Sequence, residues 1–250
     1  MTAILETVSL VRRFGGLVAT SDVSLTLHQG ARHALIGPNG AGKTTFVNLL
    51  TGALKPTSGR ILLEGVDITR EAAHRRVGRG MARTFQINQL FPDLTPLETV
   101  TFAVLERCGR GMDAVRSVAG HAAEIDEAAD ILERFRLADV MGWKTSDMPY
   151  GKQRLLEIAV AIAARPKVLL LDEPAAGVPE GERHEILDMV NALPASVAVL
   201  LIEHDMDLVF SFAERISVLV NGALLVEGTT REVAEDPRVR TAYLGEDADA

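Results

Sequence analysis

One run of eight residues constrains this chain more than any other: Gly37-Pro38-Asn39-Gly40-Ala41-Gly42-Lys43-Thr44, with the spacing G-x-x-x-x-G-K-[ST]. It follows an apolar stretch at 31–36 and leads into a helically spaced stretch from Lys43 to Thr51 that closes at Gly52. Strand, glycine-rich turn and helix in that order are the context a P-loop requires. Glycine lets backbone N–H groups turn inward with no Cβ in the way, so loop and helix N-terminus together cradle phosphate. Asn39, Gly40, Ala41, Gly42, Lys43, Thr44 and Thr45 are the expected cradle. Lys43 brings a positive charge to the β- and γ-phosphates of a nucleotide, and the Thr44 hydroxyl is placed to ligand Mg²⁺.

The rest of the chain is read around that loop. Apolar–polar alternation predicts strands at 3–10 and 23–27, and 60–68 reads as a hairpin turning at Glu64-Gly65. From 95 to 143 helical spacing dominates: 121–135 places Ile125, Ala128, Ala129, Leu132 and Phe135 on one face, while 108–120 reads as a loop. After residue 152, helices and strands alternate again. A buried strand is expected at 168–171, helix at 180–193, strand at 197–202, helix at 205–212, a hairpin around Asn221-Gly222 and a helical tail at 230–244. The expected fold is α/β: a P-loop NTPase core with an antiparallel β subdomain and an inserted helical subdomain. One domain would fill 1–250, with core and β subdomain at about 1–94 and 165–250 and the helical part at about 95–164.

A second motif stands at Val168-Leu169-Leu170-Leu171-Asp172-Glu173. A buried strand ending in two carboxylates aims them at the C-terminal edge of a parallel sheet, where ligands sit. Asp172 is placed to hold Mg²⁺ and Glu173 to orient or deprotonate an attacking water. Gln86 and His204 follow two further expected strands. The other histidines, His28, His33, His74, His121 and His184, have no metal-ligand spacing and are assigned to solvent or core.

Composition excludes several classes. Lys+Arg is 26 against Asp+Glu 34, a formal charge of −8 that argues against bulk nucleic-acid binding. A single cysteine, Cys108, allows no internal disulfide and fits a reducing compartment. No secretory h-region is visible, and the longest apolar run, 158–164, falls far short of the roughly 20 residues that cross a bilayer.

The order of P-loop, Gln86, Tyr150-Gly151-Lys152-Gln153-Arg154, Leu171-Asp172-Glu173-Pro174 and His204 resembles the ATPase subunits of ABC transporters along nearly the whole chain. Arg83-Thr84-Phe85-Gln86, Asp172-Glu173-Pro174-Ala175-Ala176-Gly177, Glu203-His204-Asp205-Met206 and Tyr243-Leu244-Gly245-Glu246 resemble the branched-chain amino-acid uptake ATPases, and the long helical insert resembles the longer of their two types. The resemblance implies ATP and Mg²⁺ as ligands, with hydrolysis at Lys43, Asp172, Glu173 and His204. Gln86 would sense Mg²⁺ and the coupling interface, His204 would touch the γ-phosphate, and Phe14 would stack on adenine. Tyr150, Gly151 and Lys152 would cap a nucleotide on the opposite subunit. The implied partners are a second ABC ATPase subunit, homo- or heterodimeric, transmembrane permease subunits and, indirectly, a periplasmic or extracellular solute-binding protein, with no nucleic acid. The implied location is cytoplasmic, on the inner face of the plasma membrane. The permease would dock on the insert and on the loop after Gln86, which carries Leu90, Phe91 and Leu94. A non-transport ABC ATPase and a weakly hydrolysing regulatory subunit are the alternative readings.

Two departures stand out. Met148-Pro149-Tyr150-Gly151-Lys152 replaces the usual Leu-Ser-Gly-Gly-Gln, and Pro149 has neither hydroxyl nor N–H; the Lys152 ammonium is expected to supply charge there. Pro179 likewise stands where Asp or Asn is common.

Overall fold

The computed structural model describes residues 2–84, 90–111 and 120–244. In chain order its elements begin with β1 (Ala3–Phe14), β2 (Leu17–Val23), β3 (Thr26–His28), β4 (Arg32–Ile36), α1 (Lys43–Thr51), β5 (Ser58–Leu63), β6 (Val66–Asp67), α2 (Ala73–Gly78) and β7 (Met81–Arg83). Then come α3 (Pro96–Arg107), α4 (Ala122–Arg134), α5 (Tyr150–Ala163), β8 (Val168–Asp172), α6 (Glu180–Asn191), β9 (Ala198–Ile202) and α7 (Met206–Phe212). The chain ends with β10 (Arg215–Val220), β11 (Ala223–Thr229), α8 (Thr230–Glu235) and α9 (Pro237–Leu244). These fall into two compact units, 1–81 with 167–173 and 193–250, and 82–166 with 174–192.

The first unit carries the sheets. Among the described residues β1 pairs antiparallel with β2, β3 and β5, and β5 with β6. A second sheet runs β11-β10-β4-β9-β8, parallel from β10 to β8 and closed by the antiparallel β10–β11 hairpin. Every residue of β4, β8 and β9 is buried, the pattern of strands covered on both faces. Phe46, Leu49 and Leu50 of α1 pack into the same core as Leu5, Leu27 and Leu200. The turns at Glu64-Gly65 and Asn221-Gly222 both have two positive φ angles, the conformation that matches the twist of a two-residue hairpin.

Two expected elements are broken, each for a local reason. Residues 23–27 form the end of β2 and the start of β3. Thr7 enters the gap: its hydroxyl donates to Val23 O (3.1 Å) and accepts from Leu25 N–H (2.9 Å), replacing ladder bonds. The tail at 230–244 is two helices, because Asp236 precedes Pro237 and is pushed to extended backbone (φ −72°, ψ 117°). Conversely β1 runs on to Phe14, since Arg13 and Phe14 pair with Val18 and Leu17 across the glycine turn.

A buried cation holds α1 in place. Arg76 donates to Leu49 O (2.7 Å), Leu50 O (2.6 Å), Thr69 O (3.0 Å) and Glu71 O (3.1 Å). It thereby satisfies carbonyls at the end of a helix that has no basic residue in its own last turn.

The second unit is helical. Thr95 and Glu98 form a capping box at the start of α3, with Pro96 at its first position. Arg107 binds both Glu127 oxygens (2.7 Å each) and Ala163 O (2.8 Å), tying α3 to α4 and α5. Ala128, Ile131, Leu132 and Phe135 are buried, while Ile125 and Ala129 are only partly so.

His33 of β4 gives the first unit a pH dependence. Its Nε2 lies 2.8 Å from Ser217 Oγ, which donates to Glu227 (3.0 Å). Burial pushes the ring's pKa from 6.5 to about 4, against the pull of Glu227 and helped by Arg215 and His28. The unfolded chain therefore binds a proton that the fold refuses, so stability present above pH 6.5 is lost as pH falls toward about 4. At 1.36 kcal/mol per pKa unit the loss is about 3 kcal/mol. Urea unfolding at a series of pH values should show this decline, and His33→Gln should flatten it.

Candidate functional site

The glycine-rich loop leaves β4 at Ile36 and enters α1 at Lys43. Gly42 is the N-cap, left-handed (φ 97°, ψ 5°) and with no side-chain capping bond. The first intrahelical bond is Phe46 N–H to Gly42 O, so the N–H groups of 43–45 precede the ladder at the positive end of the helix dipole. Glycine is dictated at two positions by contact. A Cβ on Gly37 would lie 2.1 Å from Leu219 O, and one on Gly42 would lie 2.3 Å from Ala19 O. Gly222 N–H donates to Ala41 O and Ser21 N–H to Gly222 O, so β2 and the β10–β11 turn clamp the loop. Lys43 Nζ donates to Gly37 O and to Pro38 O (3.1 Å), across the mouth of the loop.

Parallel pairing brings the second motif to the same edge. Leu35 of β4 and Asp172 of β8 both register with Ile202 of β9. At strand spacings of about 4.8 Å, Asp172 lies about 10 Å across the sheet from Leu35, two residues before the phosphate loop begins. Glu173 follows with φ 48°, a left-handed backbone rare outside glycine, fixed by its N–H to Ile202 O (2.9 Å). His204 leaves β9 beside it. The imidazole is 66% exposed, and Nδ1 lies 3.6 Å from Glu173 Oε1 and 3.8 Å from Glu203 Oε2. Both separations are too long for hydrogen bonds. Glu203 is only 2% exposed and accepts the His204 N–H at 3.2 Å. Its neighbour Asp205 caps α7 through Asp207 N–H and Leu208 N–H. In the sequence Glu203 is only the residue before His204; its burial next to the exposed histidine is what singles it out.

The donor chemistry fits a magnesium nucleotide. A threonine hydroxyl and a carboxylate are hard oxygen donors, and Mg²⁺ takes one or two carboxylates with phosphate and water completing its shell. Among the described residues no cluster of three or more His, Cys, Asp or Glu forms a self-sufficient metal cage. Thr44 and Asp172 would therefore share the ion with phosphate oxygens. Gln86 lies outside the described residues.

Phe14 and the 149–152 segment lie in different units. Phe14 ends β1 opposite Leu17 and is 42% exposed. In the helical unit α5 starts at Tyr150, with Pro149 as N-cap. The Tyr150 ring packs on Gly177, where a Cβ would approach it to 3.1 Å. Lys152 Nζ is bound by both carboxylate oxygens of Asp139, and this holds the Asp139 carboxyl below its usual range. A Glu182 oxygen sits against Gly151, 2.4 Å from where its Cβ would be. Neither Asp139 nor Glu182 carried a sequence signal, because each reaches α5 from a separate element.

The phosphate loop and the carboxylate-bearing strand edge define a P-loop nucleotide-binding protein. A family model described as ABC transporter matches residues 20–176, and one described as branched-chain amino acid ATP-binding cassette transporter matches 223–249. The high-affinity branched-chain amino acid transport ATP-binding protein BraF of Pseudomonas aeruginosa is 39% identical over 97% of this chain and 98% of its own. LivG of Escherichia coli, with the same description, is 38% identical over 97% and 98%. A crystal structure of the ADP conformation of an ATP-binding cassette of an ABC transporter has a TM-score of 0.87 at 32% identity, covering 98% of this chain and 100% of that one. A nucleotide-free ATP-binding cassette gives 0.85 at 31%, covering 96% and 98%. The chain belongs to the ABC transporter family, as an ATP-binding cassette.

The clamp around the loop makes a direct prediction. Gly37→Ala drives a methyl group into Leu219 O at a φ of +153°. Strain and displacement of this kind cost about 2–4 kcal/mol. Thermal unfolding should show that loss, and Gly40→Ala, with nothing within 4 Å of the added Cβ, should lose less.

Proposed function

We propose that this chain is the ATP-hydrolysing subunit of an importer for branched-chain or related amino acids, corresponding to the longer of the two ATPase types. The observation that carries the reading is end-to-end similarity to BraF, 39% identical over 97% of this chain. The relatives named above are transport proteins, which favours transport over an ABC ATPase acting on DNA or ribosomes.

In this reading the N–H groups of 39–45 and the Lys43 ammonium bind the phosphates, Thr44 and Asp172 would hold Mg²⁺, and Gln86 would sense it. When bound, Mg²⁺ would neutralise charge on the phosphate oxygens. Glu173 orients the attacking water and takes its proton, while His204, steadied by Glu203, contacts the γ-phosphate. Phe14 stacks on adenine. Because the phosphoryl group is attacked with little covalent help, the protein's contribution is placement and charge, and each placed group is worth several kcal/mol.

The 149–152 segment would face the nucleotide of a second ATPase subunit. Three observations favour a weak contribution there. Pro149 has no donor, Lys152 is committed to Asp139, and a Glu182 carboxylate stands at the helix start where phosphate would approach. They support a weakened contribution of this segment to the nucleotide on the opposite subunit.

The permease would dock on the helical unit. Phe91 is 64% exposed and Trp143 51% exposed, and the loops that carry them are joined: Thr145 N–H and hydroxyl both donate to Leu94 O, and Ser146 N–H donates to Pro92 O. Leu90 and Leu94 are half-buried and shape the base of this surface. No helix among the described residues is long and apolar enough to cross a membrane. Attachment to the cytoplasmic face would come through the permease, with a solute-binding protein acting on its far side.

Lys43→Ala should abolish productive ATP binding. Glu173→Gln should bind Mg-ATP but hydrolyse it about 10²–10³-fold more slowly, accumulating an associated form on size exclusion. Wild-type turnover in Glu173→Gln would remove Glu173 from the water-activating role. A photocrosslinker at Phe91 or Trp143 should reach the permease in the assembled transporter; crosslinks confined to 230–244 would overturn the docking face.

A further inference from the structure

Phe14 does not stand alone at the end of β1. Arg12 lies two residues back on the same face of the strand, and its guanidinium carbon sits 4.4 Å from the centroid of the Phe14 ring. That is cation–π distance. The guanidinium is fixed from behind. Arg12 Nη1 donates to Lys55 O at 2.8 Å. On either side of it the strand is pinned to the same loop, by Arg13 N–H to Thr57 Oγ1 (3.0 Å) and Thr57 N–H to Val11 O (2.7 Å). Arg12 Nε is buried and makes no hydrogen bond. The planar group is thus committed to the ring and to one carbonyl, and one face of Phe14 is covered by a cation.

The same hairpin reaches the phosphate loop. β2 begins at Leu17, opposite Phe14, and two residues on the Ala19 carbonyl closes on Gly42. A nucleotide whose phosphates lie on the loop therefore has its base within reach of this end of the hairpin.

We infer that Arg12 is a positioning residue for the nucleotide base: it fixes the plane of the Phe14 ring and backs it with positive charge, so that the ring's free face stacks on a purine. This rests on the reading of Phe14 as the adenine platform. The physical gain has two sources. A ring held in one orientation loses less entropy when a base stacks on it. The cation also withdraws π density toward its own face, leaving the opposite face a better surface for the electron-rich rim of a purine.

The test separates base from phosphate recognition. Affinities for ATP and for inorganic tripolyphosphate, each with Mg²⁺, are measured by calorimetry on the full chain for wild type, Arg12→Gln, Arg12→Lys, Phe14→Leu and the Arg12→Gln/Phe14→Leu double variant. Glutamine keeps an N–H for Lys55 O and removes the charge and the planar cation. Arg12→Gln is expected to weaken ATP about three- to tenfold and leave tripolyphosphate unchanged. Arg12→Lys should recover part of the loss, and the double variant should be no weaker than Phe14→Leu alone. If Phe14→Leu weakens ATP but Arg12→Gln does not, the role of Arg12 is overturned and the Phe14 reading stands. If Phe14→Leu leaves ATP binding unchanged, the platform reading falls and Arg12 with it. Equal weakening of ATP and tripolyphosphate by Arg12→Gln would make the residue a brace for the hairpin and overturn its role at the base.

Discussion

Everything at the nucleotide end of this protein depends on two backbone contacts that tolerate no Cβ. Gly37 lies against Leu219 O and Gly42 against Ala19 O, so the phosphate loop is wedged between the β10–β11 hairpin and β2. Beside this wedge the N-terminus of α1 has no side-chain cap, and the N–H groups of 43–45 precede the helix ladder. The wedge also joins the two sheets, since β2 belongs to the antiparallel sheet and β10 to the largely parallel one. A loop that merely had the right glycine count, without these neighbours, would sample many conformations and present no fixed donors. Arg76 completes the arrangement from the far end by satisfying the carbonyls where α1 stops.

Parallel pairing then assembles the chemistry. Because β4, β8 and β9 share register, the residues that follow each strand emerge side by side: the glycine loop, Asp172-Glu173 and Glu203-His204. Three carboxylates and an imidazole are concentrated there, with the buried Glu203 behind and the exposed His204 in front. The left-handed backbone at Glu173 turns its side chain toward His204. Strain at that residue is maintained by its N–H bond to Ile202 O, a contact the sheet supplies.

In the helical unit, by contrast, the groups expected to serve a neighbouring subunit are engaged within the chain. Lys152 is paired with Asp139, Tyr150 is seated on Gly177, and Glu182 lies against Gly151. An ammonium already bound to a carboxylate gives up that pairing before it can serve a phosphate. The Lys152 and Gly151 contacts come from Asp139, in the short turn at 138–140, and Glu182, in the first turn of α6, converging on one helix start, which proline has left without a capping hydroxyl.

The phosphate loop, helix α1 with its boundaries, the carboxylate-ended strand β8 and the two hairpin turns are legible in the order of the amino acids. Each is written in adjacent residues, through glycine at fixed spacing, apolar runs of strand length or a pair of turn residues. The break at Asp236-Pro237 is written there as well, in the proline that forces its predecessor out of helix, although helical periodicity runs across it. Tertiary structure alone decided what distant residues do to one another. Thr7 splits β2 from β3 sixteen residues away, Arg76 closes α1, burial keeps His33 neutral beside Ser217, Lys55 anchors the cation beneath Phe14, and Asp139 holds Lys152. The physical reason is the same in each case. A charged or polar side chain has no preferred partner along the chain, and its energy is set by which carbonyl, carboxylate or ring the fold brings within about 3–4 Å after water is removed.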